Sequence, residues 1–238
     1  MNRLKKPLAF VLKFAAFSLA VSLTAIYVGG TVTKTVSSFY IEEAPTKIVI
    51  DAGHGGRDGG AVADDGTLEK DLNLSLALSV ADVLKTMGAD VIMTRDKDVM
   101  YASDDSPHKK LDDLNARIKT VKDAGDCVFV SIHMNKFPVA KYSGLQVYYS
   151  PKNDESKAVA EAIRSAVITY IQPDNERQVK QSDSSIYLLS NLTCPAVLVE
   201  CGFLSNPSEL EKLKDETYRD ALAAVIAAAV MEYVSSNQ

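Results

Sequence analysis

The sequence predicts one α/β domain with a mostly parallel, mixed sheet of about five or six strands flanked by helices, preceded by an N-terminal transmembrane or signal segment. Three observations predict this architecture. Apolar, β-branched runs alternate along the chain with helical segments, which is typical of parallel sheets. The chain has 238 residues, of which 47% are hydrophobic, enough for one domain with a full-sized core. A long uncharged run precedes that domain.

The N-terminal residues carry a targeting pattern. Residues 1–13 form a basic region, and residues 14–32 form an uncharged run of about 19–20 residues, near the length that spans a bilayer. No clear Ala-x-Ala cleavage site follows, so a signal anchor is favoured over a cleaved signal peptide. Either way, the positive-inside rule places the remaining chain outside the cytoplasm. Residues 33–45 are predicted to be a linker, and residues 46–238 the folded domain.

The first strand of the domain is predicted over Ile48–Ile50, and a glycine-rich turn around His54 follows it. Alternating leucines in residues 72–87 are compatible with a strand, but the length of this segment and the glycine after it favour a helix. The next predicted elements are a strand over residues 90–94, a polar loop over residues 95–110 and a helix over residues 111–124.

The second half of the domain continues the alternation of strands and helices. Its predicted elements are a strand over residues 127–132 that ends at His133, a strand over residues 145–149, a helix over residues 153–171 capped by Asn153, a polar loop over residues 172–185, a strand over residues 196–199 that ends at Glu200, a short helix from Pro207 and a long alanine-rich helix over residues 217–234. The uncharged centre of that last helix is too short to cross a membrane.

Charge and cysteine usage narrow the class of protein. The formal net charge is −5 and no basic stripe is visible, so nucleic acid is not expected as a partner. The three cysteines, Cys127, Cys194 and Cys201, form no CxxC pair. Neither a disulfide framework nor a cysteine zinc site is therefore expected, and small buried hydrophobes are the favoured interpretation.

Three predicted strands end on residues capable of chemistry: His54, His133 and Glu200. The carboxyl ends of parallel strands meet at one edge of a sheet, and Glu69, which opens the first helix, is within reach of that edge. Each residue also has a structural interpretation, such as a hydrogen-bonded histidine or a glutamate that complements a helix dipole. The remaining histidine, His108, lies in a polar loop and is predicted to be at the surface.

Two histidines and a carboxylate form a common catalytic zinc site, in which water takes the fourth position. We therefore expect one Zn²⁺ per chain on His54, Glu69 and His133. Glu200 is then a spare carboxylate near the metal, suited to take a proton from the attacking water. The predicted chemistry is metal-assisted hydrolysis with a glutamate as the base.

Four segments in order resemble the zinc-dependent N-acetylmuramoyl-L-alanine amidases of bacterial cell walls, the amidase-3 family. They are IDAGHGG at 50–56, EKDLNL at 69–74, SIHMN at 131–135 and VECGFLSNP at 199–207. The resemblance runs from about residue 47 to residue 233. It implies zinc on the three expected ligands and Glu200 as the catalytic acid and base. It also implies a peptidoglycan substrate, cleaved at the amide between N-acetylmuramic acid and L-alanine.

Residues 174–180 and 186–189, with the single N-terminal membrane segment, resemble the germination-specific, spore-cortex amidases (CwlD type). That resemblance implies removal of stem peptides during sporulation, with a separate deacetylase completing muramic-δ-lactam. It implies a location outside the cytoplasm, in the forespore intermembrane space or cortex. The alternatives are a vegetative autolysin, another peptidoglycan zinc peptidase such as a carboxypeptidase, and a non-catalytic wall-binding protein. A need for an activating partner protein is left open.

Four further residues are expected to support the site. Arg177 and Lys180 are predicted to bind carboxylates of the stem peptide, and a solvated loop is the alternative. Asp51 and Asn135 are predicted to hydrogen-bond to the two histidines and fix their orientation.

Overall fold

Six strands form one mixed sheet in the order β2-β1-β3-β6-β4-β5 in the computed structural model, which describes residues 47–237. The strands are β1 (Lys47–Ala52), β2 (Asp90–Met93), β3 (Cys127–Asn135), β4 (Gln146–Tyr149), β5 (Lys180–Gln181) and β6 (Ala196–Phe203). Strands β2, β1, β3 and β6 are parallel, β4 is antiparallel to β6, and β5 is parallel to β4. The predicted α/β class and mixed sheet are confirmed.

Helices cover both faces of this sheet. They are α1 (Glu69–Thr86), α2 (Lys109–Ala124), α3 (Ser156–Tyr170), α4 (Tyr187–Asn191), α5 (Pro207–Lys214) and α6 (Glu216–Ser236). Alternate residues of a strand point to opposite faces. Ile48 and Ile50 therefore pack in the cluster of α1, α3, α5 and α6, whereas Val49 and Phe129 pack in the cluster of α2 and α4. Burial on both faces explains the nearly continuous apolar runs of the central strands.

The two central strands are longer than the sequence predicts. β3 continues past His133 to Asn135, and β6 continues past Glu200 to Phe203, so both residues lie within strands and not at their ends. The reason is that the two strands pair with each other, and a register shift after His133 lets the ladder continue. The same ladder fixes the positions of both side chains.

Helix α1 begins at Glu69, as predicted. The predicted start of the helix at Asn153 was wrong: α3 begins at Ser156, because Asn153 accepts a hydrogen bond from the backbone N–H of Glu155 in a turn that precedes the helix. The segment predicted as a loop over residues 172–185 contains the two-residue strand β5, and the five-residue helix α4 was not predicted.

The basic region, the signal anchor or signal peptide and the linker all lie outside the described residues. Among residues 47–237, no helix is both long enough and apolar enough to span a membrane.

Candidate active site

The four residues singled out for chemistry converge at one edge of the sheet. His133 and Glu200 are register partners on the adjacent parallel strands β3 and β6, so their side chains share one face. His54 follows β1 by two residues, and Glu69 is the first residue of α1. A cavity of about 230 Å³ is lined by His54, His133 and Glu200, among other residues.

Glu69 stands between the two histidines. Its Oε1 atom lies 2.9 Å from Nδ1 of His133 and 3.3 Å from Nε2 of His54. One possible ligand atom from each of the three residues lies within 4.8 Å of the other two. The structure therefore brings together the three residues expected as ligands.

Two backbone N–H groups and one amide side chain hold the Glu69 carboxylate in place. Oε2 accepts a hydrogen bond of 2.8 Å from the N–H of Ala61, and Oε1 accepts bonds of 3.2 Å from Nδ2 of Asn73 and from the N–H of Met134. Burial alone raises the pKa of Glu69, but the two histidines outweigh it and hold that pKa well below its usual range. The carboxylate is therefore ionised at neutral pH.

Asp58 orients the ring of His54, a contact that the sequence analysis missed. Oδ2 of Asp58 lies 2.9 Å from Nδ1 of His54, and its Oδ1 accepts a hydrogen bond of 3.1 Å from the N–H of Gly60. Burial lowers the pKa of His54, but Asp58 and Glu69 together raise it to about 9. The signal in the sequence was a carboxylate four residues after the histidine, within a glycine-rich loop.

Glu200 differs from the other carboxylates of the site. Burial raises its pKa to about 7, with the nearby charge of Glu69 adding to the effect and the two histidines opposing it. Its Oε2 atom is buried and has no hydrogen-bond partner among the described residues. A buried carboxylate oxygen without a hydrogen-bond partner is rare in folded proteins, and its place beside a group of potential ligands indicates a functional role.

Two glycines leave the space that these side chains fill. A Cβ atom on Gly53 would lie 2.2 Å from Nε2 of His133. A Cβ atom on Gly60 would lie 2.5 Å from Oε2 of Glu69, and Gly60 has a φ of +67°, which favours glycine in any case. The packing of the site therefore requires glycine at both positions.

Asp51 does not hydrogen-bond to a histidine, contrary to the prediction. Its carboxylate accepts hydrogen bonds from Thr94 Oγ1 at 2.6 Å, Ser131 Oγ at 2.5 Å and Arg117 Nη1 at 2.7 Å. Burial raises the pKa of Asp51, but these three partners outweigh it and lower the pKa overall. Asp51 lines the cavity and is linked to His54 through Arg117, whose Nη2 atom donates to the backbone carbonyl of His54.

The other predicted residues lie outside the cavity of His54 and Glu200. Asn135 contributes its backbone carbonyl, which accepts a 2.7 Å hydrogen bond from Leu204, and its side chain has no hydrogen bond among the described residues. Arg177 donates to the carbonyl of Ser143 at 2.7 Å, and Lys180 is exposed on β5. Substrate binding by these two cations stays a prediction. His108 is exposed, as predicted.

Lys110 is a basic residue at the cavity that the sequence analysis did not single out. Its Nζ atom lies 3.7 Å from Oδ2 of Asp58, and its side chain is 71% exposed. Lys110 lies in a polar segment, before the apolar positions of α2. The sequence therefore does not distinguish it from other surface lysines.

The donor set fits a divalent metal. Two imidazole nitrogens and one carboxylate oxygen match the preferences of first-row transition ions, and contacts outside the set orient His54 and Glu69. The convergent atoms of His54, Glu69 and His133 are the one such group of three or more found among residues 47–237. The arrangement is suited to metal-assisted hydrolysis with Glu200 as the proton acceptor.

Known proteins are similar to this chain in sequence and in fold. The family profile described as N-acetylmuramoyl-L-alanine amidase (Amidase_3) matches residues 48–232. The germination-specific N-acetylmuramoyl-L-alanine amidase of Bacillus subtilis (strain 168) is 39% identical over 193 residues, which cover 80% of each chain.

Two solved structures have the same fold. The CwlD amidase of Clostridioides difficile, in complex with the GerS lipoprotein, superposes with a TM-score of 0.77 at 36% identity, covering 80% of this chain and 99% of that one. An N-acetylmuramoyl-L-alanine amidase of Clostridium difficile 630 superposes with a TM-score of 0.72 at 31% identity, covering 82% of this chain and 100% of that one. The chain therefore belongs to the N-acetylmuramoyl-L-alanine amidase family.

Proposed function

We propose that this chain uses one zinc ion, bound by His54, Glu69 and His133, to hydrolyse the amide between N-acetylmuramic acid and L-alanine in peptidoglycan. The observation that carries the proposal is the buried, unpartnered Oε2 atom of Glu200 beside these three convergent donors. Membership of the amidase family supports the choice of bond.

The spacing of the donor atoms supports zinc. Tetrahedral zinc holds nitrogen and oxygen ligands at about 2.0–2.2 Å, so its ligand atoms stand about 3.4 Å apart. The corresponding distances from Glu69 Oε1 are 2.9 Å to His133 and 3.3 Å to His54. Small side-chain movements bring the three donors to zinc spacing.

Bound zinc supplies a Lewis acid that polarises the amide carbonyl and lowers the pKa of water to about 7. Glu200 accepts a proton from the attacking water and returns it to the leaving nitrogen of L-alanine. In the metal-free protein burial raises the pKa of Glu200 to about 7. Asp58 fixes the tautomer of His54 by holding Nδ1, which directs Nε2 towards Glu69.

We place this activity outside the cytoplasm and in maturation of the spore cortex, where a deacetylase would act on the product to complete muramic-δ-lactam. The support is the similarity to a germination-specific amidase and to the CwlD amidase. That CwlD structure contains a lipoprotein, so we include a lipoprotein as a proposed activating partner here.

Product analysis tests the proposed reaction. The purified full chain, loaded with zinc, is incubated with peptidoglycan, and the soluble products are identified by mass spectrometry. We expect intact stem peptides with a free N-terminal L-alanine, together with peptide-free muramic acid, and neither product after EDTA treatment. Release of D-alanine alone would instead indicate a carboxypeptidase.

The biological role has a separate test. Spores from a strain that lacks this gene are digested, and the cortex muropeptides are separated and weighed. Loss of muramic-δ-lactam with normal vegetative muropeptides supports the cortex role, whereas the reverse pattern indicates a vegetative autolysin. Higher activity of the purified chain with added lipoprotein would support the activating partner, and equal activity with and without it would contradict that role.

A further inference from the structure

Two cysteines lie together at the end of the sheet remote from the candidate active site. Cys127 opens β3, and Cys194 lies two residues before β6. Phe129 is the register partner of Ala196. Cys127 lies two residues before Phe129, and Cys194 lies two residues before Ala196, so the same register places the cysteines opposite each other. A hydrogen bond of 2.9 Å from the N–H of Phe129 to the carbonyl of Pro195 already joins β3 to the segment before β6.

The sheet register makes the two cysteines neighbours across β3 and the segment before β6. Both side chains pack with the apolar cluster beneath α2 and α4. Cys201 is fully buried in the other cluster, on the opposite face of the sheet. The three cysteines therefore contain one neighbouring pair, and Cys201 serves as an internal control.

We propose that Cys127 and Cys194 form a disulfide bond that joins the starts of the two central strands. Neighbouring strands stand about 4.7–4.9 Å apart, within the 4.4–6.8 Å that separates the Cα atoms of bonded cysteines. The inference rests on the proposed location outside the cytoplasm, where disulfides persist, but not on the proposed catalytic activity. It replaces the expectation that the chain has no disulfide framework and that Cys127 is only a small buried hydrophobe.

The chemistry requires an oxidant, which we assign to a disulfide-bearing thiol oxidoreductase. Both cysteines line an open cleft, and Cys194, which is half-buried, is the accessible one, whereas Cys127 is 2% exposed. The thiolate of Cys194 attacks one sulfur of the oxidant's disulfide and releases the other sulfur as a thiolate. Cys127 then attacks the Cys194 sulfur and releases the second thiolate, so two electrons pass to the oxidant and both cysteine thiol protons are lost.

The bond would constrain the chain that carries His133, because that residue lies between the two cysteines in sequence. Closing this loop raises Tm by roughly 5–15 °C by restricting the unfolded chain. His133 stands six residues along β3 from Cys127, about 20 Å away, so turnover at ambient temperature is expected to stay unchanged.

Thiol counting tests the proposal on the full chain. The reduced protein is equilibrated under native conditions with oxidised glutathione, and a matched sample is kept in reductant. Both are denatured, alkylated with N-ethylmaleimide and analysed as intact protein and as peptides. We expect the oxidised sample to carry one maleimide, on Cys201, and a cross-linked peptide pair containing Cys127 and Cys194. The reduced sample should carry three.

Two variants test whether the cross-link and the gain in Tm depend on these cysteines. Cys127→Ser and Cys194→Ser should each show no intramolecular cross-link and no gain in Tm on oxidation. Three alkylated cysteines after oxidation, a stable glutathione adduct on Cys194, or a cross-link to Cys201 would each overturn the proposal. None of these results depends on amidase activity, so failure of this proposal is distinct from failure of the proposed function.

Discussion

Arg117 donates a hydrogen bond of 2.6 Å from Nη2 to the backbone carbonyl of His54. Within the part of the chain that the structure describes, His54 is the sole non-glycine residue with a positive φ, at 62°. That conformation costs an L-residue roughly 1–2 kcal/mol, so surrounding contacts must hold it. Arg117 also donates to the carbonyl of Ala52 at 2.7 Å, and it forms ion pairs with Asp51 and Asp113. The turn that directs His54 into the site is therefore held by a buried cation.

Replacing Arg117 by methionine should destabilise the protein by about 3–5 kcal/mol, because Asp51 and Asp113 would lose the charge that compensates their burial. Urea unfolding monitored by circular dichroism measures this loss. Arg57→Met is the matched control: its ion pair with Asp104 is 70% and 86% exposed, so a change of about 0–1 kcal/mol is expected. Equal stability of the two variants would argue against a structural role for Arg117.

Glu200→Gln should lower kcat by about 10²–10⁴-fold and leave KM nearly unchanged, because a proton acceptor acts in the transition state and not in substrate binding. Zinc content should stay at the wild-type level, which atomic absorption measures on the same sample. Glu211→Gln, at an exposed position of α5, is the control and should retain full activity. A Glu200→Gln enzyme with wild-type kcat would remove Glu200 from the mechanism.

Gly60→Ala should reduce metal affinity, because the added Cβ would lie 2.5 Å from Glu69 Oε2 and 2.8 Å from Cδ2 of His54. Gly66→Ala is a matched control with a positive φ of +88° but no heavy atom within 4 Å of the added Cβ. Both substitutions carry a backbone penalty of roughly 1–2 kcal/mol, so thermal melts should fall for both. Calorimetric zinc titration should show weaker zinc binding for Gly60→Ala than for Gly66→Ala. Equal zinc affinity of the two variants would contradict the proposed packing around Glu69.

Zinc binding should release a proton from His54. Because Asp58 and Glu69 raise the pKa of His54 to about 9, the metal-free protein carries a proton on this imidazole at pH 7, whereas a ligand imidazole is neutral. Apparent zinc affinity should therefore rise about tenfold per pH unit up to that pKa. The proton count follows from calorimetry in buffers that differ in ionisation enthalpy.

Asp58→Asn provides the control for this pH dependence. Removal of the Asp58 charge lowers the pKa of His54, so fewer protons should be released at pH 7 and the dependence of affinity on pH should flatten. An affinity that does not vary with pH in the wild-type protein would show that His54 is neutral before zinc binds.

The sequence was sufficient for the parts of the fold that depend on long apolar patterns. Central strands buried on both faces produce continuous runs such as residues 48–50, and the principle that parallel strands end at one edge brought His133 and Glu200 together. The sequence did not predict that His133 and Glu200 lie within strands. The register shift after His133 depends on pairing between β3 and β6, and no local sequence pattern indicates it.

The parts of the site that depend on tertiary contacts could not be predicted. Asp58 lies in an irregular loop without periodicity, and Arg117 appears in the sequence as one more charged residue of an amphipathic helix. Asp51 was assigned to the histidines, although its partners Thr94 and Arg117 come from segments far along the chain. Cys127 and Cys194 gave no local motif, because their proximity arises from sheet register.

Anomalous diffraction at the zinc edge, from crystals of the zinc-loaded protein, tests the central claim most directly. We predict one strong peak per chain within about 2.0–2.2 Å of Nε2 of His54, Oε1 of Glu69 and Nδ1 of His133. A peak at other residues, or none near these three atoms in zinc-loaded crystals, would contradict the proposed metal site and the hydrolytic mechanism that depends on it.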